Sequence, residues 1–184
     1  MTQPHPAVSP PSAWVTRWGL LLPAGSRVLD LAAGGGRHSR WLAGRGCRVE
    51  AVDRDPAALA ALAQCPGVST RVADLEGGPW PYEGAAFDGI VVTNYLHRPL
   101  FPRLRAALAP GGVLIYETFM LGNERYGRPS NPEFLLRPGE LLELATGLQV
   151  VAYEAGRTAV PKVAVVQRLC AVRSGDPVEL PGRA

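Results

Sequence analysis

Val28-Leu29-Asp30-Leu31-Ala32-Ala33-Gly34-Gly35-Gly36 runs a short apolar stretch into a turn of small residues. Its first half, Arg27–Leu31, suits a strand buried on both faces. The glycines let the chain turn sharply and let a ligand approach the backbone. A helix is predicted next over Gly36–Arg45, with Gly46 placed to end it. Such a helix points unpaired N–H groups at the space above the turn, which favours a carboxylate or phosphate there. A tight strand-to-helix connection needs the same residues, so the meaning of the turn depends on what surrounds it.

Outward from the turn, strand-like and helix-like segments alternate. Strands are predicted at Arg48–Val52, Ser69–Ala73, Phe87–Thr93 and Val113–Glu117, and helices at Pro56–Ala63 and Pro99–Leu108. Ser12 offers an N-cap to an earlier short helix through Trp14, Val15 and Trp18, ended by Pro23-Ala24-Gly25. Pro110-Gly111-Gly112 reads as a turn before the fifth strand. A glycine- and proline-rich connection over Thr118–Pro138 is long enough for a binding lid. After a short helix over Gly139–Ala145, two strands, Leu148–Glu154 and Lys162–Arg173, lack a helix between them and must pair antiparallel. The expected fold is α/β: a Rossmann-like doubly wound sheet of five parallel strands plus a C-terminal antiparallel pair. The expected organisation is a flexible arm over 1–12, one domain over 13–173 and a loose tail over 174–184.

In such a sheet the ligand sits at the carboxyl ends of the strands, where the order reverses. Three aspartates fall there. Asp30 closes the first strand. Asp53 follows the second, about 20 residues past Gly34, where a carboxylate can accept from both ribose hydroxyls. Asp74 follows the third, within reach of an adenine amino group. Each alone is an ordinary loop aspartate, but three at successive strand ends point to a nucleoside-bearing ligand.

Residues 28–36 resemble the first motif of class I S-adenosylmethionine-dependent methyltransferases, an aspartate, three residues, then Gly-x-Gly, here Asp30, Gly34 and Gly36. Ala32 and Ala33 replace the commoner glycine and cysteine. Asp53, Asp74-Leu75, Phe87-Asp88 with Asn94-Tyr95, and Leu108-Ala109-Pro110-Gly111-Gly112 match that family's later motifs, so the resemblance covers about residues 25–173. Leu22-Pro23 through Arg37-His38 and Phe134–Leu144 further resemble the small bacterial tellurite-resistance-type methyltransferases. The resemblance implies strand order 3-2-1-4-5-7-6 and S-adenosylmethionine as the cofactor. On that basis Ala32, Gly34 and Gly36 would hold the methionine portion, with Asp30 on its ammonium, directly or through water, and Arg37 on its carboxylate. Asp53 would take the ribose, Asp74 and Leu75 the adenine, with Val52 and Leu75 sandwiching the ring, and Asn94 would offer its carbonyl near the ammonium.

Such a transfer needs no acid for the leaving group, because the sulfonium departs as a neutral thioether, so orientation carries much of the catalysis. A base is required only where the acceptor must lose a proton. His97, after the fourth strand, is the candidate, with His38 weaker. Tyr95, Tyr116, Glu117 and Tyr126 are candidates to line the acceptor pocket. Arg125, Arg128 and Arg137 on the long connection would favour an anionic acceptor.

Composition narrows the remaining classes. Hydrophobic residues make up 47% of the 184, enough for a sizeable core, and the net charge is only +3. Cationic charge is nearly all arginine, Lys162 being the sole lysine, and no basic run resembles a nucleic-acid tail. A small-molecule acceptor is expected; RNA or protein as acceptor has mild support from the arginines. An NAD-dependent oxidoreductase fits less well, since Ser39 stands where the dinucleotide pattern places its third glycine or alanine. A non-catalytic S-adenosylmethionine-binding module remains open. Three widely spaced cysteines favour neither a disulfide framework nor a zinc site. With no signal-peptide pattern and no span-length apolar run, a cytoplasmic protein without membrane association is expected.

Overall fold

The computed structural model describes residues 9–182. It contains α1 (Ala13–Trp18), β1 (Arg27–Leu31), α2 (Arg37–Gly44), β2 (Arg48–Asp53), α3 (Pro56–Ala60) and β3 (Val68–Val72). These are followed by β4 (Phe87–Thr93), α4 (Phe101–Ala107), β5 (Leu108–Phe119), α5 (Glu140–Leu144), β6 (Gln149–Thr158) and β7 (Ala164–Val172). The strands form one seven-stranded sheet in the order β3-β2-β1-β4-β5-β7-β6. β1 to β5 run parallel, while β7 lies antiparallel to both β5 and β6. This is the expected α/β sheet with its C-terminal antiparallel pair and implied strand order.

Alternation along the strands builds two cores, since successive side chains leave opposite faces of a sheet. Ile90, Val92, Leu114 and Tyr116 turn to one face, beneath Phe101 and Leu104 of α4 and Leu141 of α5. Val91, Val113 and Ile115 turn to the other, beneath Trp14, Val15 and Trp18 of α1 and Leu42 of α2. Both faces being covered explains why β4 reads as a continuous apolar run. Among the described residues no helix is long and apolar enough to cross a membrane.

Several boundaries differ from expectation. β5 begins at Leu108 rather than Val113, because Pro110-Gly111-Gly112 forms an irregularity inside the strand: its pairing with β4 shifts register between Phe87 and Gly89. α3 ends at Ala60, where turns replace the helix expected through Ala63. The connection after β5 holds two single 3-10 turns, Asn123–Arg125 and Pro132–Phe134, and an isolated bridge of Met120 to Leu136.

The arm expected over 1–12 lies partly outside the described residues, which begin at Ser9. From there the chain rests on the glycine turn: the Arg37 guanidinium donates to the Pro10 carbonyl at 3.4 Å, and Ser12 caps α1 by accepting from the Trp14 N–H at 3.1 Å. Of the tail expected over 174–184, residues 183–184 also lie outside, while Val178 packs against the α1 core.

Candidate active site

β1 and β4 are neighbours although β2 and β3 intervene in sequence, so the order reverses between them and a crevice opens at their carboxyl ends. Two adjoining cavities occupy it. One, of about 280 Å³, follows the ends of β2 and β3, lined by Asp53, Arg54, Asp74, Leu75 and Glu76. The other, of about 630 Å³, follows the glycine turn from Ala33 to His38, and Ser9 closes one side. Ala32, Asp53, Asn94 and Tyr95 line both.

The backbone is specialised at the junction. Ala32 (φ 55°) and Asn94 (φ 56°) are the only non-glycine residues in the left-handed region among those described. Such strain persists only where the surroundings enforce it, and it gathers at functional sites. Gly34 and Gly36 are left-handed as well (φ 52° and 73°), and Gly36 caps α2. A Cβ on Gly36 would collide with the Leu62 side chain, whereas one on Gly34 would meet nothing within 4 Å. Gly34 therefore leaves open the space above the turn.

Asp53 ends β2 with one carboxylate oxygen accepting from the Gly34 N–H at 2.8 Å and the other from the Asp55 N–H at 2.9 Å. A carboxylate has about four acceptor positions, so two remain for ligand hydroxyls. Asp74 is exposed, and the N–H groups of Glu76 and Gly77 hold its carboxyl below the usual range. The Tyr95 hydroxyl is buried at the cavity wall, and burial and the neighbouring Glu76 carboxylate raise its pKa.

Other candidates lie away from the cavities. Asp30 is buried at the end of β1 and accepts from the Ser39 hydroxyl at 2.5 Å; burial pushes its pKa up to about 6. It lines neither cavity, so no direct contact with a ligand ammonium is available to it. Val52 is fully buried in the sheet and cannot flank an adenine; its neighbour Arg54 lines the cavity instead. Arg37 and Leu75 do line the cavities.

Of the four acceptor-side candidates, only Tyr95 lines a cavity. Tyr116 is a core residue, its ring stacked 5.1 Å from that of Phe101 and its hydroxyl donating to the Tyr95 carbonyl at 2.8 Å. Glu117 is held by the Arg168 guanidinium at 2.6 Å and by the Ser12 hydroxyl at 3.2 Å. Tyr126 is exposed and outside both cavities. The arginines expected to attract an anion, Arg125, Arg128 and Arg137, line neither.

His97 also lines neither cavity. It lies close enough to Asp74 to favour that carboxylate. His38 does line the larger one, with its ring fixed between the Ser12 N–H, donating to Nε2 at 3.2 Å, and the Thr93 hydroxyl, 3.4 Å from Nδ1. Burial, with Arg37 adding repulsion, pushes its pKa down to about 3, so it is neutral at ordinary pH.

Sequence reasoning missed Arg54 and Glu76, each beside a residue it had named, and Phe119, Pro129 and Phe134. Phe119 ends β5, and Pro129 and Phe134 lie on the connection after it, where the sequence suggests a lid but not which side chains face inward.

Residues 28–112 match the model of a family described as a methyltransferase domain. Trans-aconitate 2-methyltransferase of Paracidovorax citrulli is 40% identical over 102 residues, and that of Variovorax paradoxus 38% over 101. Each match takes in 50% of this chain and 38% of the relative, so the chain spans well under half the length of these relatives. TehB of Haemophilus influenzae has a similar structure, with a TM-score of 0.73 over 87% of this chain and 61% of that one at 19% identity. The N-methyltransferase NodS of Bradyrhizobium japonicum gives 0.67 over 86% and 91% at 20% identity. Motifs, domain match and strand order together make the chain similar to class I methyltransferases, including the TehB type, and imply S-adenosylmethionine as the cofactor.

Proposed function

We propose, from the match of residues 28–112 to a methyltransferase-domain family, that the protein transfers a methyl group from S-adenosylmethionine to a small-molecule acceptor. One observation carries the reading: both cavities meet at Ala32, Asp53, Asn94 and Tyr95, where the sheet order reverses and the backbone is strained. A nucleoside joined to an amino acid needs two such adjoining compartments, one apolar and edged by acids, the other edged by N–H groups.

The residues divide accordingly. Asp53 accepts from the ribose hydroxyls with its two free positions. Asp74 and the Leu75 backbone read the adenine edge, with Leu75 and Arg54 beside the ring. The N–H groups after Gly34, with Arg37, hold the carboxylate at the start of α2. The Asn94 carbonyl serves the ammonium. Asp30 acts one layer below, fixing Ser39 and so the first turn of α2. The same bond gives Ser39, at the third-glycine position of the dinucleotide pattern, a task unrelated to pyrophosphate.

When bound, S-adenosylmethionine supplies a methyl group on a sulfonium, a leaving group that needs no protonation. What the chain contributes is orientation and exclusion of water. His97 stands outside both cavities and His38 is fixed on both ring nitrogens, so we assign neither a base role.

The relatives' names support a small acceptor. The test is to incubate the protein with S-adenosylmethionine and a metabolite panel, following S-adenosylhomocysteine by mass spectrometry. Acceptor-dependent release is expected. Release only with RNA or a protein substrate would overturn the small-molecule assignment.

A further inference from the structure

The wall of the smaller cavity away from the glycine turn comes from the end of β5 and the connection after it: Thr118, Phe119, Pro129 and Phe134. Phe119 is buried and packs with Leu135 and Val166, so its ring is fixed. Phe134, on a single 3-10 turn, is 48% exposed, an aromatic ring half in solvent at the rim. Leu121 and Tyr126 on the same connection are exposed too. Apolar side chains left open on the segment that borders a cavity suit a surface that a ligand covers.

Charge points the same way. Asp53, Asp74 and Arg54 of this cavity face the donor, which leaves Glu76 as its remaining charge, and the wall of Thr118, Phe119, Pro129 and Phe134 carries no cation. Two arginines of the neighbouring elements are already engaged. Arg98 binds Glu140 at 2.6 Å and the carbonyls of Glu133 and Leu135. Arg168 binds Glu117 and Glu154. Lys162 has its ammonium 5.8 Å from the Phe119 ring centre yet does not line the cavity. Recognition of a polycarboxylate calls for paired guanidinium contacts, and the wall of Thr118, Phe119, Pro129 and Phe134 supplies none. A flat neutral body gains contact with the aromatic rings.

We propose that the acceptor is a neutral molecule with a planar, apolar body, seated against Phe119 and Phe134, and not a polycarboxylate such as trans-aconitate. This rests on the methyltransferase reading and narrows it. In the transfer, a lone pair on the acceptor forms the new bond to the methyl carbon as the methyl–sulfur bond breaks. That bond's electron pair stays on sulfur, giving a neutral thioether, and any proton on the attacking atom leaves to water.

The test uses the full chain saturated with S-adenosylhomocysteine. Calorimetry compares binding of quinoline and 2-naphthol with that of trans-aconitate, in the wild type and in Phe134→Ala. Phe134 is a rim residue whose removal leaves the core intact. We expect the aromatic probes to bind and trans-aconitate not to. In Phe134→Ala the aromatic affinity falls about tenfold, with S-adenosylhomocysteine affinity unchanged. Trans-aconitate binding as well as the aromatic probes, neither class binding, or a Phe134→Ala variant that holds the aromatics as tightly as wild type would overturn the inference. Failure of S-adenosylhomocysteine itself to bind would instead overturn the methyltransferase reading.

Discussion

Gly36 combines two demands that only glycine meets: a left-handed backbone and a missing side chain where Leu62 packs. Gly36→Ala adds overpacking to backbone strain, and a loss of about 1–3 kcal/mol is expected in urea unfolding. An unchanged midpoint would show that the turn is softer than its geometry implies. At Asp53 the argument concerns binding. If Asp53 holds the ribose as proposed, Asp53→Ala removes two charge-assisted acceptor positions and S-adenosylhomocysteine affinity should fall roughly ten- to hundredfold. Affinity equal to wild type in calorimetry would remove the ribose role. The positions of both, one in the turn after β1 and one at the end of β2, were legible in the sequence, because each follows a strand. Val52, Tyr116 and Glu117 were not. Each sits beside the site in sequence while its side chain goes into the sheet, a ring stack or an ion pair. Those partners are distant in the chain, and no local pattern announces them.

β1 and α2 each bury a titratable group beneath the glycine turn, and the two oppose one another in pH dependence. Asp30 titrates near 6 in the fold against an ordinary 3.8, so between those values the native state holds the extra proton and stability falls as pH rises. His38 titrates near 3 against an ordinary 6.5, so there the unfolded state holds the extra proton and stability rises with pH. Each slope is about 1.4 kcal/mol per pH unit, and they cancel between about pH 4 and 6. Asp30→Asn should therefore reveal the His38 slope, and His38→Gln the Asp30 slope, in unfolding curves across that range. Two variants that both keep the wild-type profile would contradict the burial account. At the start of α5, Glu140 is buried and accepts from Arg98 and from the Arg137 N–H, which holds its pKa down to about 2. Its contribution is present above pH 4.5 and is lost as pH falls towards 2. Glu140→Gln should cost about 2–3 kcal/mol at pH 7 and nearly nothing at pH 2. A cost independent of pH would mean that the charge is immaterial. Elements whose residues announce themselves locally, such as β1 and β4, were legible nearly to the residue. The connection after β5 was not: Asn123 ties it together by accepting from the Val165 N–H and donating to the Pro129 carbonyl, a register set by tertiary pairing.

Among the described residues the molecule is a sheet whose order reversal, between two aromatic-capped cores, opens a crevice edged by acids and glycines. Class and direction of the strands followed from alternation and from the missing helix before β7. Their order came from the family resemblance, since parallel strands joined by crossovers permit several arrangements. The identity of the acceptor wall was not available from sequence at all, because it depends on how the Thr118–Pro138 connection folds back over the strand ends. The central claim is that this crevice binds an adenosyl amino acid rather than a dinucleotide. The most direct measurement is calorimetric titration of the full chain with S-adenosylmethionine, S-adenosylhomocysteine and NAD under identical conditions. Saturable one-to-one binding of both adenosyl compounds, with no heat from NAD, is the predicted result. Binding of NAD with no response to either adenosyl compound would contradict it.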